Sequence, residues 1–227
     1  MTGGTVRRPE VVVFDVNETL SDLSGMSERF AEVGLEPGAA RTWFASVLRD
    51  GFALAVSGTM APFSDLAEAT LRSLVAGRRP AVAPEEAVAH VMEGFGRLGL
   101  HEDVPEGVRA LVAAGFRLVT LSNGAAAVAD RLLSSAGLRE HFERLLSVED
   151  AGVFKPARAA YDLAATTCRC RPEAMLLVAV HPWDVDGAAR AGMQTALVDR
   201  VGLPYPPFFT PPGTTVASLP ELAGLLA

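Results

Sequence analysis

Lysine is nearly missing from this chain: of its 20 basic side chains, Lys155 is the only lysine and the other 19 are arginine. Cysteine is almost as scarce. Cys168 and Cys170 lie too close together to bridge one another and are too few for a four-ligand zinc site, so they read as small residues near a helix end. No apolar run has the length of a membrane span, and the polar start MTGGTVRRPE leads into an apolar run too short for a signal peptide. Basic residues are scattered under a net charge of −7, which leaves no footprint for nucleic acid or an anionic bilayer. A cytoplasmic protein with neither nucleic acid nor membrane as a partner is expected.

Present instead is the material of a globular chain, 49% hydrophobic and 21% charged over 227 residues, enough for one domain or for a core with an insertion. Short apolar runs recur at VVVF (11–14), FRLVTL (116–121), MLLVAV (175–180) and TALV (195–198), with a weaker RLLSV at 144–148. Continuous runs of this kind suit strands buried on both faces. Helical patterns at 104–114, 125–136, 157–167 and 185–191 supply the crossovers of a parallel sheet. The fold class expected is therefore α/β: an open, doubly wound, Rossmann-like three-layer core with a parallel sheet.

Between the first and second runs lie about a hundred residues, more than one crossover needs. They read as the helices SERFAEV, RTWFASVLRDGFALAV, SDLAEATLRSLVAGR and PEEAVAHVMEGFGRL, with apolar residues such as Trp43, Val47, Leu48 and Phe52 recurring at three and four. The domain expectation is an inserted helical unit, residues 21–99, in a core made of residues 1–20 and 100–227. The tail opens with a proline-rich turn and closes with a short strand and a helix, and Phe208 and Phe209 are expected to dock on the core.

Ligands of open α/β sheets bind outside the carboxyl ends of the strands, and that is where the polar residues fall. Asp15 follows the first run, Ser122 and Asn123 the second, His181 and Asp184 the MLLVAV run, and Lys155 opens a helix in a VFKP turn. Singly, Asp15, Asn17, Ser122, Asn123 and Asp184 are also the residue types that cap helices. Together, with the lone lysine among them, they place a carboxylate, a hydroxyl, an ammonium and an imidazole on one rim. An ammonium is a point charge that arginine's planar fork does not imitate.

FDVNETL, LSNG, FKP and AVHPWDVDGAARAGM, at these spacings, resemble the four motifs of the haloacid dehalogenase superfamily, and are most similar to its type II 2-haloacid dehalogenase branch. The resemblance covers nearly the whole chain and makes the helical insertion a cap. It implies that Asp15 attacks the substrate, forming a covalent ester that water then hydrolyses. Thr19 and Ser122 would orient Asp15 and the bound acid, and Lys155, within about 4–6 Å, would keep the nucleophile ionised. Asn123 would cradle the halide and Tyr161 would lie by the substrate. The expected substrate is a small carboxylic acid, the expected assembly a homodimer.

Several positions depart from the pattern. Asn17 stands where the superfamily's phosphatases have a general-acid aspartate, and an amide has no such proton to give. Ala179 and Val180 replace part of their magnesium motif, leaving only Asp15 and Asp184 for Mg²⁺; the dehalogenase branch uses no metal, and none is expected. Phe44 follows Trp43 where the branch has a halide-binding arginine; Arg41, three residues earlier, lies on nearly the same helix face. His181 replaces an asparagine and reads as a neutral general base assisted by Asp184, with Trp183 as pocket wall. The expected activity is hydrolytic dehalogenation of a 2-haloacid through an ester. The alternatives are another leaving group, a C–N bond or a phosphate ester, or a weakly active, metabolite-binding member.

Overall fold

The structure, a computed structural model, describes residues 7–227; the first six residues of the polar start lie outside the described residues. Its sheet has six strands in the order β3-β2-β1-β4-β5-β6: β1 Val11–Phe14, β2 Arg117–Ser122, β3 Phe142–Ser147, β4 Met175–Ala179, β5 Gln194–Val198 and β6 Thr214–Val216. Every neighbouring pair is parallel. The VVVF run became the central strand because all four of its side chains are buried, two toward each face. Since β1 is flanked by β2 and β4, the chain reverses its winding beside it, and the crevice of a doubly wound sheet opens at the carboxyl ends of these strands.

The crossovers are α5 Val104–Ala113, α6 Ala126–Ser135, α7 Arg158–Cys168 and α8 Pro182–Arg190, with α9 Leu219–Leu226 closing the chain. Three boundaries differ from expectation. Strand β3 starts at Phe142, two residues early, because Phe142 packs edge-on to Phe14 at 5.9 Å. Helix α8 starts at Pro182, where the absent N–H costs nothing at a first helical position. Helix α7 starts only at Arg158, so Lys155 sits in the turn before it, at a cis Lys155–Pro156 bond.

Four helices fill the long gap: α1 Met26–Glu32, α2 Ala39–Val56, α3 Phe63–Ala76 and α4 Pro84–Phe95. Trp43 ties them together; its buried indole donates to the Ala67 carbonyl at 2.8 Å and packs on Phe30 and Phe95. The chain leaves and rejoins the sheet layer side by side, through a Ser21–Leu100 bridge and a bond from Asp22 N to Gly99 O at 2.9 Å. Phe52 against Trp183 and Phe63 against Phe154 lock the helices over the strand ends.

Both cysteines are buried and free, Cys168 ending α7 as expected. Phe208 departs from expectation: it is 75% exposed and meets Phe209 edge-on rather than docking on the core. The prolines around it give the loop no amphipathic period with which to turn the ring inward. No described helix is long and apolar enough to cross a membrane.

Candidate active site

Asp15 is the first residue past β1, its backbone N–H still bonded to Val178 O in β4 at 3.0 Å, so the sheet itself aims its carboxylate into the crevice. One oxygen, Oδ1, accepts from Lys155 Nζ at 2.9 Å. The other, Oδ2, accepts from Thr19 Oγ1 at 2.8 Å and faces His181 Nδ1 at 3.2 Å. The Thr19 hydroxyl has no choice of direction. Its oxygen takes the Val180 N–H at 3.1 Å, so its own proton points at Asp15.

Lys155 is fully buried and bridges two acids, with Asp184 Oδ2 at 2.6 Å on its other side. Asp184 Oδ1 in turn accepts from the Tyr161 hydroxyl at 2.7 Å. Helix α8 approaches this pair closely at Gly187, where a Cβ would lie 2.7 Å from Pro156 Cβ and collide with Tyr161. Burial alone would raise the Asp15 pKa, but the charge of Lys155 and the bond and charge of His181 outweigh it and hold the carboxyl well below its ordinary range. Burial would likewise lower the Lys155 pKa, and Asp15 and Asp184 instead push it up. Both groups stay charged.

His181 differs from its sequence reading. It was expected as a neutral base helped by Asp184, yet its partners are Asp15 and, through Nε2 at 2.8 Å, Glu18. With a carboxylate against each ring nitrogen, only the imidazolium offers a proton to both. Burial opposes the charge, but the bonds to the two acids prevail and raise its pKa to about 9. A group that holds its proton this firmly does not serve as a base near neutrality.

Glu18 is the residue that sequence reasoning missed. It occupies the left-handed region at φ 61°, a conformation that costs a non-glycine residue on the order of 1–2 kcal/mol. Three contacts hold it there: the carboxylate on His181, the carbonyl taking His101 Nε2 at 2.9 Å, and the N–H on Ser21 Oγ at 3.3 Å. Nothing in FDVNETL signals this, because both histidines arrive from distant segments.

Other expected site residues sort by contact. Ser122 does not reach Asp15; its Oγ accepts from Gly124 N–H at 2.9 Å and shapes the loop after β2. Asn123 Oδ1 accepts from the Lys155 backbone N–H at 2.9 Å, while its buried Nδ2 has no partner among the described residues. Tyr161 is wholly buried against Asp184, so it positions that acid rather than standing by a ligand. Asp184 does not cap α8: the helix starts at Pro182, and its carboxylate turns to Lys155 and Tyr161. Asn123 and Ser122 cap nothing either, since α6 follows Ala125 with no side-chain cap. Trp183, expected as pocket wall, stacks on His181 with ring centres 4.9 Å apart and meets Phe52 edge-on.

A cavity of about 580 Å³ opens beside the cluster and shares His181 and Glu18 with it; Arg41, Trp43, Phe44 and Arg200 line its other walls. Arg41, in the first turn of α2, has no ion pair among the described residues, and Phe44 is buried beside it. Asn17 borders a separate recess of about 260 Å³, bounded also by Arg97 and Arg131. The Mg²⁺ considered for Asp15 and Asp184 does not fit this donor set. A cation already stands between the two acids: the Lys155 ammonium lies 2.9 Å from Asp15 Oδ1 and 2.6 Å from Asp184 Oδ2.

Comparisons with known proteins place these features in a family context. A haloacid dehalogenase-like hydrolase family model matches residues 9–192. The chain is 26% identical to a haloacetate dehalogenase of Moraxella sp. (strain B), over 98% of this chain and all of the relative. With an (S)-2-haloacid dehalogenase of Pseudomonas sp. (strain YL) the identity is 35%, over 56% of this chain and 55% of the other. Among solved structures, a dehalogenase in an intermediate complex superposes with a TM-score of 0.91 at 26% identity, over 98% of this chain and 99% of that one.

Proposed function

The chain belongs to the haloacid dehalogenase-like hydrolase family, and from that premise we propose that it displaces halide from a small 2-haloacid through an ester on Asp15. The observation that carries this reading is the state of the Asp15 carboxylate. It is ionised, buried and fixed by three side chains, and the lone-pair count leaves one position open. Each carboxylate oxygen has about two acceptor sites; both on Oδ2 are taken, by Thr19 and His181, whereas Oδ1 carries only Lys155. Oδ1 is the attacking atom.

Halide suits the rest of the site. It departs without a proton, and Asn17 has none to give. The unpartnered Asn123 Nδ2, beside the lysine turn, supplies a donor for the departing anion. Arg41, without an ion pair among the described residues and on the cavity wall, takes the substrate carboxylate, while the halide-binding arginine of the branch has no counterpart at Phe44. The helices of residues 21–99 act as the cap that closes this cavity. In the second step Asp184 receives the proton of the attacking water; burial raises its proton affinity against the pull of Lys155.

A cavity of about 580 Å³ lies beside the cluster, so 2-haloacids with longer or aromatic tails belong in the same trial as short ones. The test is repeated turnover of chloroacetate, (S)-2-chloropropionate and a 2-halo-phenylalkanoate in ¹⁸O-water, followed by mass analysis of the Asp15 peptide. Heavy oxygen in Asp15 is the expected result. Turnover without label there would exclude the ester route.

A further inference from the structure

We propose that His181, held by Glu18, is a fixed cationic oxyanion site for the hydrolytic half of the reaction, gripping Asp15 Oδ2 as the ester carbonyl oxygen. The inference rests on the displacement reading above and adds a role that neither the motif pattern nor that reading contains. After attack through Oδ1, the alkyl group is bonded to Oδ1 and Oδ2 becomes the carbonyl oxygen. Two donors already point at it, Thr19 Oγ1 at 2.8 Å and His181 Nδ1 at 3.2 Å.

Water then adds to Cγ of Asp15 and the carbonyl π electrons move onto Oδ2. Asp184 takes one proton from the water. As the tetrahedral centre collapses, the Oδ1–Cγ bond breaks, and the alkoxide leaves with that proton as a 2-hydroxy acid. Asp15 keeps the water's oxygen, and the second water proton is released as the carboxyl re-ionises. Negative charge therefore develops on Oδ2, the atom already held by an imidazolium and a directed hydroxyl, and preorganised donors aimed at a developing charge act without reorganisation.

Glu18 explains how the imidazole stays charged throughout. When Asp15 is alkylated it loses its own negative charge, and His181 would lose half of its electrostatic support at the moment it is needed. Glu18, 2.8 Å from Nε2, remains. That requirement accounts for a glutamate kept in the left-handed region by His101 and Ser21. The other charged or titratable groups near the imidazole are Lys155, which lies 5.9 Å from the Trp183 ring, and, along the cavity it shares, Asp22, Arg41, His101, Asp199 and Arg200.

Rapid-quench mass measurement on the full chain with (S)-2-chloropropionate separates the two half-reactions. In His181→Gln the alkyl-enzyme is expected to accumulate, because ester hydrolysis slows about 10²–10³-fold, the usual cost of one lost oxyanion donor. In Glu18→Gln, whose altered side chain is half-exposed, hydrolysis is expected to keep its rate at low pH. It should then fall as pH rises through neutrality, below the pH at which the parent falls, while ester formation is little changed. Hydrolysis at the parent rate in folded His181→Gln, or an unshifted pH profile in Glu18→Gln, would overturn the inference while leaving the ester route intact. Absence of any ester in the parent would overturn both.

Discussion

Two adjoining regions of this protein hold charge in opposite ways. At the strand ends, Lys155 and Asp184 are fully buried and Asp15 nearly so, and each is bonded to at least two others. On the cavity wall supplied by α2, Arg41 is exposed and has no ion pair among the described residues. The first arrangement is rigid because any member left alone would be a buried, uncompensated charge. The second is free to engage something that comes from outside. The sheet holds the paired charges and the inserted helices supply the unpaired one.

The contrast is broken most severely at the lysine. Lys155→Met leaves Asp184 buried without a counter-charge and Asp15 with His181 alone, and a loss of about 3–5 kcal/mol in urea unfolding is expected, together with loss of turnover. A variant within about 1 kcal/mol of the parent would show that the cluster is not held by its charges.

The imidazole comes next. Its pKa rises from 6.5 to about 9 on folding, so its contribution is fully present below pH 6.5 and is lost as pH climbs to about 9. Urea titrations across this window should show roughly 3 kcal/mol of lost stability in the parent, at about 1.4 kcal/mol per pKa unit. His181→Gln should lack that slope.

On the cavity side, Arg41→Gln should raise KM for a 2-haloacid about tenfold, or roughly 1.4 kcal/mol, with kcat little altered. An equal loss in kcat would move Arg41 into the reacting centre and erase the distinction between the regions. The smallest effect is expected at an exposed pair on α3: Arg72→Ala removes two N–H donors to one oxygen of Glu68, Oε1, yet should shift stability by no more than about 0.5 kcal/mol.

Strands β1, β2, β4 and β5 were legible in the sequence because burial on both faces leaves a largely apolar run, and the four helices between β1 and α5 because amphipathic spacing is local. Asp15 and Lys155 were legible for related reasons: one ends a strand, the other is the only lysine. Tyr161 was misplaced, since its spacing from Lys155 put it near the site without saying that its hydroxyl turns inward to Asp184. The base role expected of His181 failed for an electrostatic reason. A histidine beside a single acid in sequence reads as a base, whereas one wedged between two carboxylates keeps its proton.

The sequence by itself determined the parallel sheet, the inserted helices and the carboxylate at the end of VVVF, all of which depend on which residues must leave water. Only the tertiary structure decided that His181 is charged, that Glu18 holds it, and which Asp15 oxygen stays open. Protonation and lone-pair occupancy depend on neighbours a few ångströms away that lie 163 residues off along the chain for His181 and Glu18. Periodicity encodes where a side chain points, while pairing through space is settled only when the strands have brought their ends together.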